Sequence, residues 1–120
     1  MGAGAGYSTE LMARAVGPTG KVYGQNANPS ERFAARQKTP GMANVEAVTA
    51  PFDAPAPAGL RDLDLVTFFF AYHDTTFMEV DRAKMNKAIY DALKPGGILV
   101  YETFTIDNYF HHKHPRRWEF

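Results

Sequence analysis

Three glycines alternate with single residues at the start of the chain, as Gly2, Gly4 and Gly6. Because glycine has no Cβ atom, such a segment lets the backbone approach a bound molecule closely. A helix is predicted directly after it, and the free N–H groups of a first helical turn can face a polar or anionic group. The spacing is therefore compatible with a ligand-binding loop, although a flexible glycine–alanine turn has the same sequence.

Two further places carry polar side chains at which chemistry could occur. Gln25 and Asn26 end the strand after the first helix, where a nucleotide-binding sheet contacts a ribose. His73 follows a long apolar segment and could act as a base or orient a substrate, with Asp74 beside it to orient or repel. The alternative role of His73 is structural, at the end of the strand or the start of the next helix.

The elements that must position these residues alternate between helices and strands. Ser8 or Thr9 is expected to cap the first helix, and Asn28, which proline follows, is expected to cap the second. Helices are predicted over 8–16, 28–39 and 77–93, and strands over 21–25, 44–50, 63–72 and 98–104. This order predicts an α/β fold with a mostly parallel sheet and flanking helices.

The longest apolar segment, 63–72, suits a strand that is covered on both faces, with the run Phe68–Phe70 in the core. In the helix that follows, four apolar residues fall near one face and are expected to be buried. They are Met78, Met85, Ile89 and Ala92. The segment Lys94–Gly97 is expected to form a turn before the last strand.

Composition disfavours several classes of function. The 120 residues suffice for one small domain, and 45% of them are hydrophobic, enough for a packed core. The 13 basic and 13 acidic residues cancel, which gives no electrostatic case for a nucleic-acid partner. Without cysteine there are no disulfides or thiolate zinc sites, as in many cytoplasmic proteins. We also expect no membrane span and no signal peptide.

The C-terminal segment has no clear periodicity. It contains His111, His112 and His114, but no carboxylate or cysteine stands at a convincing metal-binding distance from them in sequence. We therefore expect no metal site. We divide the chain into a cofactor-domain portion, 1–104, and a tail of uncertain structure, 105–120.

Four segments, in this order and spacing, resemble the class I S-adenosylmethionine-dependent methyltransferases over roughly residues 1–104. They are Gly2-Ala3-Gly4-Ala5-Gly6, Val22–Asn26, Leu63-Asp64-Leu65-Val66 and Leu93-Lys94-Pro95-Gly96-Gly97. The resemblance implies a Rossmann-like sheet that lacks the family's usual first strand, which lies between the second and fourth, and its last two strands. The glycine spacing differs from the GxGxxG fingerprint, which disfavours a nicotinamide-dependent oxidoreductase.

The resemblance also implies a site. Gly2, Ala3, Gly4 and Gly6 would lie under the methionine part of S-adenosylmethionine, and Asn26 would take the place of the family's acidic ribose ligand. Pro51, Phe52 and Asp53 would contact the adenine, and Phe69 and Phe70 would lie beside the methyl-transfer position, near His73 as the candidate catalytic residue.

The implied activity is methyl transfer from S-adenosylmethionine to a small molecule. The alternative is a truncated, non-catalytic domain that binds weakly or serves in an assembly, so the sequence leaves open whether the chain is an enzyme. We expect the isolated chain to be marginally stable, because an unfilled position in the sheet leaves strand edges unpaired. A homo-oligomer formed through the incomplete sheet is a further possibility.

Overall fold

The computed structural model describes residues 1–102 and confirms the α/β class. Three helices and four strands follow one another along it: α1 (Tyr7–Val16), β1 (Val22–Asn26), α2 (Glu31–Gln37), β2 (Val45–Thr49), β3 (Leu63–Phe69), α3 (Arg82–Ala92) and β4 (Leu93–Glu102), with no helix between β2 and β3. Short 3-10 turns at Pro40–Met42 and His73–Thr76 precede β2 and α3.

The four strands form two separate parallel pairs. Strand β1 pairs with β2 from Val22 opposite Val45 onward, and β3 pairs with β4, with Leu65 opposite Ile98. Since both pairs are parallel, the carboxyl ends of paired strands meet at one edge, where α/β sheets bind their ligands. The polar end of β1 and the end of β3 lie near each other, because residues 1–3 contact both strands there.

A gap separates β1 from β3, and the first residues of the chain enter one end of it. The backbone N–H of Ala3 donates to the Gln25 carbonyl at 2.8 Å, and the Met1 ammonium donates to the Thr67 carbonyl at 2.6 Å. Burial lowers the pKa of this ammonium to about 6. The rest of the gap is a cavity of about 280 Å³ with a largely apolar lining that includes Val22 and Leu65.

Each strand pair has its own hydrophobic core. On the β1–β2 side, Ala13 of α1 and Phe33 of α2 pack with Met42 and Val45. On the β3–β4 side, Val66 and Phe68 pack with Met85 and Ile89 of α3. Such a division follows from the gap, because apolar residues on either side of it have no common strand to pack against.

The helix starts predicted from sequence were wrong in three places. Helix α1 is capped by Gly6 in the left-handed conformation (φ 88°) rather than by Ser8 or Thr9. Ser30, rather than Asn28, caps α2 by accepting from the N–H of Phe33 at 3.2 Å. Helix α3 begins at Arg82 instead of residue 77, because the Asp81 carboxylate accepts from the N–H of Lys84 and fixes a later start.

The buried faces were only partly predicted. Met85, Ile89 and Ala92 are buried as the helical period indicates, whereas Met78 lies before α3 and is 50% exposed. Strand β3 stops at Phe69, since Phe70 takes a left-handed conformation (φ 59°). The strand is also not covered on both faces, because Leu65 borders the gap and is 49% exposed.

The first residues of β4 form an irregular segment rather than a separate turn before the strand. Strand β4 begins at Leu93, which pairs with Leu63, but the next pair of residues in the ladder is Leu65 with Ile98. The residues from 94 to 97 therefore bulge out of the ladder, with Gly96 at φ +79°. The predicted turn residues interrupt the pairing, and the strand itself begins earlier than predicted.

Candidate active site at the carboxyl edge of the strands

The glycine loop, defined as residues 2–6, takes a conformation that favours glycine at every second position. Gly2, Gly4 and Gly6 have φ values of +63°, +55° and +88°. A Cβ atom on Gly6 would lie 2.9 Å from the Phe33 ring, and one on Gly2 would lie 3.3 Å from the Phe68 ring. At Gly4 it would meet no atom within 4 Å. A Cβ atom would thus clash at Gly6 and crowd Phe68 at Gly2, whereas Gly4 borders open space.

Asn26 binds the glycine loop through both ends of its amide. The N–H of Gly4 donates to Asn26 Oδ1 at 2.8 Å, and Asn26 Nδ2 donates to the Gly4 carbonyl at 3.1 Å. The predicted ribose ligand therefore lies beside the loop at the end of β1. Its role toward a ribose stays a prediction.

Gln25, which received no role of its own from the sequence, makes three hydrogen bonds at the same edge. Its backbone carbonyl accepts from Ala3, its Oε1 accepts from the N–H of Gly2 at 3.0 Å, and its Nε2 donates to the Ala50 carbonyl at 2.6 Å. The residue is buried, with only 3% of its surface exposed. A polar residue in a buried strand position was the signal available in the sequence.

Helix α2 holds the other side of the loop through Arg36, which was also missed. Arg36 Nε donates to the Ala5 carbonyl at 3.0 Å, and its Nη1 pairs with the Glu10 carboxylate at 2.7 Å. Hydrogen bonds from Arg14 and Arg36 hold the pKa of Glu10 below its usual value. Loop, α1 and α2 are thus connected by charge-assisted bonds.

The segment after β2 lies against the glycine loop, as the adenine assignment requires. The Phe52 ring stacks on Phe68 with centroids 5.4 Å apart, and it lies 3.8 Å from where a Cβ on Gly2 would be. Asp53 pairs with Lys84 of α3 at 2.9 Å, which raises the pKa of the lysine. Pro51, which precedes Phe52, is exposed.

The predicted methyl-transfer residues follow β3. Phe69 is half-buried, but Phe70 is 51% exposed, so the expectation of a buried Phe68–Phe70 run fails at its last residue. His73 starts the 3-10 turn, and its Nε2 lies 3.1 Å from the Asp74 carboxylate. His73 as a catalytic residue stays a prediction, and the three tail histidines lie outside the described residues.

Two findings concern other kinds of site. Within residues 1–102, no group of three or more histidine, aspartate or glutamate side chains is arranged to hold a metal ion. In the same part of the chain, no helix combines the length and the apolar character needed to cross a membrane.

Comparison with known proteins agrees with this geometry. Residues 1–97 match a family described as a methyltransferase domain. Demethylmenaquinone methyltransferases of Staphylococcus aureus strains JH9, Newman and JH1 are 31% identical to the chain over 102 residues. The match covers 81% of this chain but 38% of each relative, so the chain spans well under half their length. The chain belongs to the methyltransferase domain family, with the fold of the class I S-adenosylmethionine-dependent methyltransferases.

Proposed function

We propose that the carboxyl edge of β1 and β3 binds S-adenosylmethionine and that the chain transfers its methyl group to a small molecule. The observation that carries this proposal is the glycine loop. Its three glycines are all left-handed, but only Gly4 borders open space, and a hydrogen-bonded frame fixes the loop at the ligand-binding edge of the strands.

The residues present fit the cofactor. The glycine loop leaves room beside Gly4, the Asn26 amide offers a donor and an acceptor suited to a ribose, and the Phe52 ring of residues 51–53 lies against Gly2. When bound, S-adenosylmethionine supplies a methyl group on a sulfonium centre. The protein's own contribution is to position the reactants and exclude water, with His73 as the candidate base.

The acceptor is proposed as a small molecule on two grounds. The names of the relatives refer to a small molecule, demethylmenaquinone. The formal net charge of zero also gives no support for a nucleic-acid acceptor. The exposed apolar side chains after β3, Phe70 and Phe77, suit an acceptor with an apolar body.

The test is a calorimetric titration of the full chain with S-adenosylmethionine, with NAD as the control ligand. We expect saturable binding of the first and no binding of the second. Methyl transfer is then followed with labelled cofactor and a demethylated quinol as acceptor. Absence of cofactor binding by the folded chain would refute the proposal.

A second candidate is a non-catalytic domain, favoured by the gap between β1 and β3. Strand edges left open in a split sheet lower stability and favour association with another chain. Cofactor binding without transfer to any quinol or small phenol tested would support this candidate. In that case the glycine loop retains its ligand and the chain lacks the remaining catalytic parts.

A further inference from the structure

Gln25 connects the two segments that would hold the cofactor, and its side chain is the only one described in residues 1–102 that bonds both. One end of its amide accepts from Gly2, in the glycine loop, and the other end donates to Ala50, directly before residues 51–53. These segments are 48 positions apart in sequence (Gly2 to Ala50). Each also bonds the β1 backbone, through Ala3 to Gln25 and through Ala50 to Asn26, and the Gln25 amide adds a direct side-chain connection between them.

We propose that Gln25 is a positioning residue that sets the distance between the glycine loop and the segment after β2. The proposal rests on the proposed function, since it assigns these two segments to one cofactor. Gln25 does not act on the cofactor itself, because its amide is buried and both ends are already bonded within the protein.

The chemistry of the two bonds explains why glutamine is required. The Gly2 N–H needs an acceptor and the Ala50 carbonyl needs a donor, and a neutral amide offers both. Methionine has a similar length but provides neither bond in comparable strength. Glutamate in its ionised form offers two acceptors, so it would keep the Gly2 bond and turn a carboxylate oxygen toward the Ala50 carbonyl. A protonated glutamic acid restores one donor and one acceptor.

The experiment compares the full chain with Gln25→Met, Gln25→Glu and the matched control Gln37→Met. Gln37 also donates from its side-chain amide to a backbone carbonyl, that of Val45 at 3.2 Å. This bond connects the end of α2 with the start of β2, so it involves neither segment of the proposed site. We measure binding of S-adenosylmethionine by calorimetry. Without cofactor, we measure amide exchange by NMR at Gly2 and at Ala54, whose N–H donates to the Pro51 carbonyl.

For Gln25→Met we expect at least about tenfold weaker cofactor binding and faster exchange at both amides. For Gln37→Met we expect both to stay within about twofold of the original. For Gln25→Glu we expect weak cofactor binding at pH 8. As the pH is lowered and the buried carboxyl becomes protonated, its affinity should recover relative to that of the unchanged chain at the same pH. Dividing the affinity of Gln25→Glu by that of the unchanged chain at the same pH cancels any effect from titration of the Met1 ammonium, which lies next to Gly2.

The outcomes separate the two proposals. If the unchanged chain fails to bind cofactor, the proposed function fails, while the exchange data still decide whether Gln25 connects the segments. If Gln25→Met binds cofactor and exchanges like the unchanged chain, the positioning role is overturned. If Gln25→Met does not fold, the pH dependence of Gln25→Glu decides, and its absence overturns the role.

Discussion

Gly4 provides the sharpest test of the site, because it is the glycine of the loop whose missing side chain leaves open space. We consider Gly4→Val together with the matched variant Gly96→Val. Gly96 also has a left-handed backbone (φ +79° against +55°), and a Cβ atom placed on it would likewise meet no atom within 4 Å. It lies in the irregular first part of β4, at the opposite end of the strands from the glycine loop.

The magnitude follows from what the two variants share. A left-handed conformation costs a residue with a side chain about 1–2 kcal/mol, so both variants lose a similar amount of stability. The Gly4 backbone is held by its two bonds to Asn26, so the valine extends into the space beside the loop. A cofactor in that space must move or be displaced. We expect at least about a tenfold loss of affinity for Gly4→Val, or about 1.4 kcal/mol, and none for Gly96→Val.

The assay is calorimetric titration with S-adenosylmethionine, with a thermal melt of each variant to show that it is folded. Equal losses of affinity in both variants would mean that binding responds to general destabilisation. Unchanged affinity in a folded Gly4→Val variant would show that the open space beside the loop is not the cofactor site, and the reasoning would fail.

Three further predictions concern the same edge and the gap beside it. Asn26→Asp should bind S-adenosylmethionine more tightly, through a charge-assisted bond to the ribose, and Asn26→Ala more weakly; titrations in which neither changes would exclude Asn26 as the ribose ligand. Burial lowers the pKa of the Met1 ammonium from 8.0 to about 6, so between pH 6 and pH 8 this group is protonated in the unfolded chain but largely neutral in the folded one. The free energy of unfolding should therefore rise by about 2 kcal/mol from pH 6 to pH 8, and denaturant titrations of an N-terminally acetylated chain should lose this dependence. An extended apolar segment joined before Met1 should raise Tm by at least about 5 °C by filling the gap, whereas a glycine–serine segment of equal length should not.

The fold was predictable where apolar periodicity determines it. The helical spacing of Met85, Ile89 and Ala92 predicted a buried face, and all three are buried. The same pattern could not place the start of α3, because Met78 extends the apolar period while the Asp81 carboxylate fixes the first turn. Helix boundaries of this kind depend on a single capping bond, and several neighbouring residues in the sequence are able to form one.

The position of the glycine loop beside the polar end of β1 was predictable, but its supporting contacts were not. The glycine spacing predicted the loop, and the polar end of β1 predicted the adjacent strand terminus. The roles of Gln25 and Arg36 arise from contacts with residues 23 to 31 positions distant, Gly2 and Ala5 among them. Sequence offers only a weak sign of such bonds, here a polar residue in a buried strand and a basic residue on a short helix.

The glycine loop is held in place without a strand in the gap beside β1, and the reason lies in its bonds. Its bonds go to the polar end of β1, through Gln25 and Asn26, and to α2, through Arg36. None of these bonds depends on a strand in the gap. The gap instead affects the strand edges and the apolar surface between the two cores. Stability and cofactor affinity should therefore respond separately, with a filled gap raising Tm more than affinity and changes at Gln25 lowering affinity more than Tm.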